Sequence, residues 1–192
     1  MQYYSDKPGW IEVVCGPMFA GKTEELIRRV KRMDFAKKKY LIFKPTIDNR
    51  YAISEVVSHN QRKVKAINIS SSKEIYNYIT EDIEAVLIDE VQFFDEDVVE
   101  ICRELADRGL RVICTGLDCD FRGNPFPIVA SLLAMSENIT KLTAICVCCG
   151  NEATKTQRII NGKPAKYDEP IILVGEKESY EPRCRKCHVI KR

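Results

Sequence analysis

Residues 10–23, reading WIEVVCGPMFAGKT, constrain this chain more than any other stretch. Gly16, Pro17, Met18, Phe19, Ala20, Gly21, Lys22 and Thr23 fit the phosphate-binding pattern G-x-x-x-x-G-K-[ST] at every fixed position. A glycine-rich turn can match by chance, so the flanks decide. Ile11, Val13 and Val14 precede the motif as an apolar strand, and residues 24–38 follow with helical periodicity. Gly16 and Gly21 let the backbone curl so that successive N–H groups face phosphate oxygens, and the positive end of the next helix adds to that field. Lys22 is placed to reach β- and γ-phosphates, and the Thr23 hydroxyl to ligate an accompanying magnesium ion. The prediction is a nucleoside triphosphate site.

A second stretch has the matching chemistry. Ala85, Val86, Leu87 and Ile88 form an apolar run expected of a strand buried on both faces, and it ends in Asp89 and Glu90. In proteins with such a phosphate loop the first carboxylate helps hold magnesium. Glu90 then falls beside the γ-phosphate, where it can take a proton from an attacking hydroxyl or water.

Between and beyond these motifs, strands alternate with helices. Leu26, Ile27, Val30 and Met33 recur at helical spacing, with Arg28, Arg29, Lys31 and Arg32 expected on a solvated face. Residues 40–43 predict a strand and residues 46–60 a loop, in which Asp48 and Arg50 follow a strand end where open α/β sheets place ligands. Their spacing alone favours a surface turn. Residues 64–69 predict a third strand and residues 71–79 a short helix opened by serines. Asp95 is expected to cap a helix carrying Val98, Cys102 and Leu105 that ends at Gly109. A buried strand over 111–116, a loop over 118–127 and a helix over 128–135 complete the pattern. The fold class is therefore α/β, a mostly parallel sheet with helices on both faces.

The chain has 192 residues, enough for one domain plus a small appendage. Its net charge of +2 gives no electrostatic argument for a nucleic-acid or membrane partner. No apolar run reaches the length of a membrane span, and the first ten residues lack a signal-peptide pattern, so a cytoplasmic location is expected. Nine cysteines in a nucleotide-binding chain point to metal rather than disulfides. Cys15, Cys102 and Cys114 lie in apolar patterns and read as packing residues. Cys146, Cys149, Cys184 and Cys187 form two C-x-x-C knuckles, the arrangement for a closed tetrahedral zinc site in an appendage with little core of its own. A redox dithiol or unrelated buried cysteines are the competing readings, and Cys148 and His188 leave the ligand set open. The expected boundary separates a phosphate-loop domain, 1–142, from a zinc-binding domain, 143–192.

With GPMFAGKT, KPTIDNRY, LIDEVQFF, LDCDFRGNPF and GEKESYEPRCRKCH in place, the chain resembles the cellular, zinc-containing thymidine kinases over residues 10–188. The resemblance implies a RecA-like fold with a zinc-anchored lasso. It also implies transfer of the γ-phosphate of ATP, with magnesium, to the 5′-hydroxyl of thymidine or deoxyuridine. A homotetramer inhibited by thymidine triphosphate is implied as well. By matching position, Glu90 would be the general base, the loop 16–23 with Asp89 would hold ATP, and Thr23 and Asp89 would serve magnesium. Asp48 would contact the sugar 3′-hydroxyl and Arg50 lie near the phosphates. Met18, Leu117, Phe121 and Phe126 would wall the base pocket, with Phe93 close by and Thr156 lining it. A lid over 166–180 would bring Leu173, Val174, Gly175 and Tyr180 to the nucleoside. The alternative is an ATPase stimulated by nucleic acid, its zinc module gripping DNA and Glu90 activating water. That reading would require a basic stripe interleaved with aromatic residues, which this sequence lacks.

Overall fold

A computed structural model describes residues 8–46, 55–57, 63–171 and 178–191. In chain order the elements are β1 (Trp10–Cys15), α1 (Lys22–Phe35), β2 (Tyr40–Pro45), β3 (Glu55–Val57), β4 (Lys63–Lys65), β5 (Ile67–Ile69), β6 (Ala85–Ile88), α2 (Asp97–Asp107), β7 (Arg111–Gly116), α3 (Pro127–Met135) and β8 (Asn138–Lys141). The appendage adds β9 (Ala144–Ile145), β10 (Glu152–Ala153), β11 (Lys155–Ile160), β12 (Lys163–Pro164) and β13 (Glu178–Arg183).

Six strands form the central sheet in the order β5-β2-β6-β7-β1-β8, and every pairing in it is parallel. Parallel neighbours need crossover connections, which put helices on the faces and bury the strands on both sides. Alternation along the strands divides the core. Val86, Ile88, Val112 and Cys114 pack with Val98, Ile101 and Leu105 of α2 and with Val129 and Leu132 of α3. Leu87 and Ile113 point the other way, onto Leu26, Val30 and Met33 of α1. Strand β7 lies between β1 and β6, so the two motif-bearing strands are next-but-one neighbours, in keeping with the RecA-like order.

Several expectations change. Residues 64–69 are two strands: β4 pairs antiparallel with β3, and β5 joins β2 in the sheet. The break falls at Ala66, buried against the α1 side of the core, where the chain changes partner. The loop predicted over 46–60 accordingly contains β3. Residues 72–78 form a 3-10 rather than an α-helical turn, opened by a capping box in which Ser71 and Glu74 satisfy each other's backbone N–H groups. Asp95 does not cap α2. Its carboxylate takes the Ser72 N–H at 2.9 Å and the Ser72 hydroxyl, tying that turn to the start of α2. Arg29 is buried rather than solvated, because Glu12 on β1 and Glu25 on α1 both accept from its guanidinium.

The appendage is two small antiparallel sheets, β10-β9 and β12-β11-β13. Among the described residues its buried apolar cluster is Ala144, Cys146, Ala153 and Cys184, with Ala20 and Cys187 packed alongside. A core that small needs a cross-link to hold it. No helix among the described residues is long and apolar enough to cross a membrane.

Candidate active site

The phosphate loop turns sharply at the carboxyl end of β1. Gly16 has φ +149°, and a Cβ there would lie 2.4 Å from the Leu142 carbonyl oxygen, so only glycine fits. Gly21, in the left-handed region at φ +83°, is the N-cap of α1. The Lys22 ammonium folds back to donate to the Gly16 carbonyl at 3.2 Å and the Pro17 carbonyl at 2.8 Å. Burial pulls its pKa down, against the opposing pull of the Glu90, Asp89 and Asp118 carboxylates. An ammonium held in this way is a cation ready to exchange carbonyl oxygens for phosphate oxygens.

Across β7, the end of β6 presents the two acids. Asp89 is 4% exposed and accepts from the Thr115 hydroxyl on β7. Burial, together with the neighbouring Glu90 charge, pushes its pKa up to about 6. Glu90 is held at φ +52°, ψ +42°, a left-handed conformation costly for a residue with a Cβ. Its carbonyl accepts the Phe93 N–H at 3.0 Å, closing a 3-10 turn over Val91–Phe93. That turn places Gln92 so that its amide N–H donates to Glu90 Oε2 at 2.6 Å.

The residues expected at a base pocket make the following contacts. Phe93 and Phe126 meet edge to face with centroids 6.2 Å apart. Phe121 is buried, with the guanidiniums of Arg122 and Arg158 at 5.1 and 5.4 Å from its ring. Arg158 also lies 6.0 Å from the Tyr180 ring. The Met18 N–H donates to the Thr156 hydroxyl at 3.0 Å, joining the phosphate loop to β11. Arg122 forks onto the Tyr167 and Glu169 carbonyls, both at 2.7 Å, and fixes the first part of the expected lid. Asp48, Arg50, Leu173, Val174 and Gly175 lie outside the described residues. Sequence reasoning missed Gln92, Thr115, Arg122 and Arg158. Of these Gln92 and Arg122 had a signal, lying in the LIDEVQFF and LDCDFRGNPF runs.

The sulfurs of Cys146, Cys149, Cys184 and Cys187 all lie within 4.8 Å of one another. Two of the separations, Cys149 to Cys184 and Cys149 to Cys187, are 3.6 Å. Tetrahedral zinc with bonds of about 2.3 Å sets thiolates about 3.8 Å apart, so the cluster is compatible with zinc. Cys148 is exposed and outside it. His188 is outside it too, its Nε2 being 2.8 Å from the Phe121 carbonyl oxygen.

Comparison with known families finds a match to the model described as thymidine kinase over residues 9–188.

Proposed function

The chain belongs to the thymidine kinase family, and we propose that it transfers the γ-phosphate of ATP to the 5′-hydroxyl of thymidine or deoxyuridine, for nucleotide salvage. Membership makes it a kinase acting on a small-molecule nucleoside. The observation that carries the finer reading is Lys22 just after β1 and Glu90 just after β6, one intervening strand apart, with the Glu90 charge acting on the Lys22 ammonium. One group neutralises charge on the donor phosphates, and the other is a carboxylate held at the carboxyl end of an interior strand by a strained backbone.

In this reading the N–H groups of residues 16–23 cradle the donor phosphates, and Lys22 leaves its loop carbonyls to bind them. Glu90 accepts the proton of the 5′-hydroxyl as that oxygen attacks phosphorus. Thr23 and Asp89 would hold magnesium, which neutralises charge on the phosphates when bound. Met18, Leu117, Phe121, Phe126 and Thr156 surround the base, with Phe93 beside Phe126. Asp48 and Arg50 contact the sugar and phosphates. The segment 166–180, including Leu173, Val174, Gly175 and Tyr180, covers the nucleoside and keeps water from the γ-phosphate. The four thiolates hold a structural zinc that secures the base of that segment. The same reading assigns a 1–142 and 143–192 division, a cytoplasmic homotetramer and feedback inhibition by thymidine triphosphate.

The test is ADP release measured with thymidine, with single-stranded DNA, and with neither. Thymidine should be required, and ADP and thymidine monophosphate should form in equal amounts. ATP hydrolysis driven by DNA and indifferent to thymidine would establish the ATPase instead.

A further inference from the structure

Gln92 is 7% exposed, yet it is a polar side chain at the centre of the acid end of the sheet. A buried amide has to satisfy both its oxygen and its nitrogen. Its oxygen accepts the Leu117 backbone N–H at 3.1 Å. A backbone N–H can only donate, so this contact fixes which end of the amide is oxygen and turns the NH₂ group toward Glu90. That group donates to Glu90 Oε2 at 2.6 Å. Room for the bridge exists because residue 116 is glycine. A Cβ there would lie 2.5 Å from Gln92 Oε1 and 3.1 Å from Val91 Cγ1. Gly116 is also the last residue of β7, the strand between the phosphate-loop strand and the acid strand.

Resting on the reading of Glu90 as general base, we infer that Gln92 is a positioning residue for it. The amide clamps Oε2 and directs the other carboxylate oxygen to the nucleoside hydroxyl. It also helps hold the left-handed conformation at Glu90, alongside the Phe93 N–H bond to that residue's own carbonyl. Because its other end is anchored at Leu117, Gln92 makes the wall of the proposed base pocket and the base itself one rigid unit. A nucleoside that displaces Leu117 is thereby felt at Glu90.

The test is a double-mutant cycle with steady-state kinetics on the full chain, using ATP and thymidine. Gln92→Met keeps the length of the side chain and removes both hydrogen bonds. It should lower kcat by about 10², the cost of a misplaced reacting group, with KM for ATP unchanged. In the Glu90→Gln background the same change should have little further effect, because groups acting as a unit are not additive. If Gln92→Met lacks a cooperative thermal transition, Gln92→Glu takes its place. It is isosteric, keeps the Leu117 acceptor, removes the donor facing Glu90 and sets a like charge against it, so a loss at least as large is expected, again shrinking in the Glu90→Gln background. Unchanged kcat, or an equal fold-loss in both backgrounds, would overturn the positioning role while leaving Glu90 as base. A Glu90→Gln enzyme turning over at the wild-type rate would instead overturn the base assignment, and the inference with it.

Discussion

At the scale of single residues, the proposed chemistry depends on Glu90 more than on any other group. Glu90→Gln keeps the shape and still meets Gln92 but cannot accept a proton. Turnover should fall by about 10²–10⁴, the usual worth of a general base. ATP binding should be retained, because Lys22 and the loop backbone are untouched; equilibrium ATP binding and single-turnover transfer measure the two separately. Near wild-type transfer would show that the proton leaves by another route. Glu90 and Lys22 were legible in the sequence because motif spacing and a strand-end position are local signals. Gln92, Thr115 and Arg158 were not, since each acquires its role only when distant segments meet. The Gln92 oxygen needs Leu117, 25 positions away, and the Thr115 hydroxyl needs Asp89, 26 away.

At the scale of elements, the P-loop helix is fixed to the sheet by a buried charge cluster that the sequence disguised. Arg29 sits in a basic run and Glu12 in an apolar strand, so neither predicts the other. In the fold, Glu12 on β1 accepts from Trp10 at 2.6 Å, from Arg111 on β7 at 2.6 and 3.1 Å, and from Arg29 on α1. Arg29 also donates to Thr140 on β8 at 2.8 Å. Burial alone would raise the Glu12 pKa, but the hydrogen bonds from Arg111 and Trp10 and the charges of Arg111 and Arg29 outweigh it and hold the carboxyl below its ordinary value. A depressed carboxyl stabilises the fold fully above its unfolded pKa, about 4.3, and loses that contribution as pH falls through the folded value. Glu12→Gln should therefore cost about 3 kcal/mol at pH 7, where it leaves Arg111 without its carboxylate and Arg29 with Glu25 alone. The deficit should shrink below about pH 4.3. Urea denaturation of both proteins from pH 7 to pH 3 measures it, and a constant deficit would mean that the ionised carboxylate is not the source. The strand and helix alternation itself was readable, because burial on both faces leaves apolar runs. The β3–β4 pairing was not: the apolar positions shift phase from Val64 and Ala66 to Ile67 and Ile69, a change that a single strand over 64–69 overlooks.

At the scale of the whole molecule, the appendage carrying the four-cysteine cluster meets the sheet on both sides of the proposed site, so removing the proposed zinc is informative. Purified protein should contain about one zinc per chain. Cys148→Ser should retain it and Cys184→Ser release it, since only the second residue belongs to the thiol cluster; full metal content in the Cys184 variant would rule out this ligand set. The two contact regions differ in strength. Toward the acceptor side, His188 touches the Phe121 carbonyl oxygen at 2.8 Å, the Arg158 guanidinium lies against the Phe121 ring, and Arg122 holds the Tyr167 and Glu169 carbonyls. Toward the donor side the described residues make the Met18-to-Thr156 hydrogen bond and pack Ala20 beside the cysteines. The rest of the donor loop is held by the sheet, through Lys22 on its own carbonyls and Gly16 against Leu142. Chelation should thus weaken both ligands but thymidine far more than ATP, because an appendage with so small a core loses its order when its cross-link goes. Calorimetric affinities for each ligand before and after chelation, with far-UV circular dichroism to follow the sheet, test this directly. A dichroism signal that persists while thymidine binding collapses is the expected result. Equal loss of both affinities, or loss of the sheet signal itself, would mean that the metal supports the whole fold rather than the acceptor side.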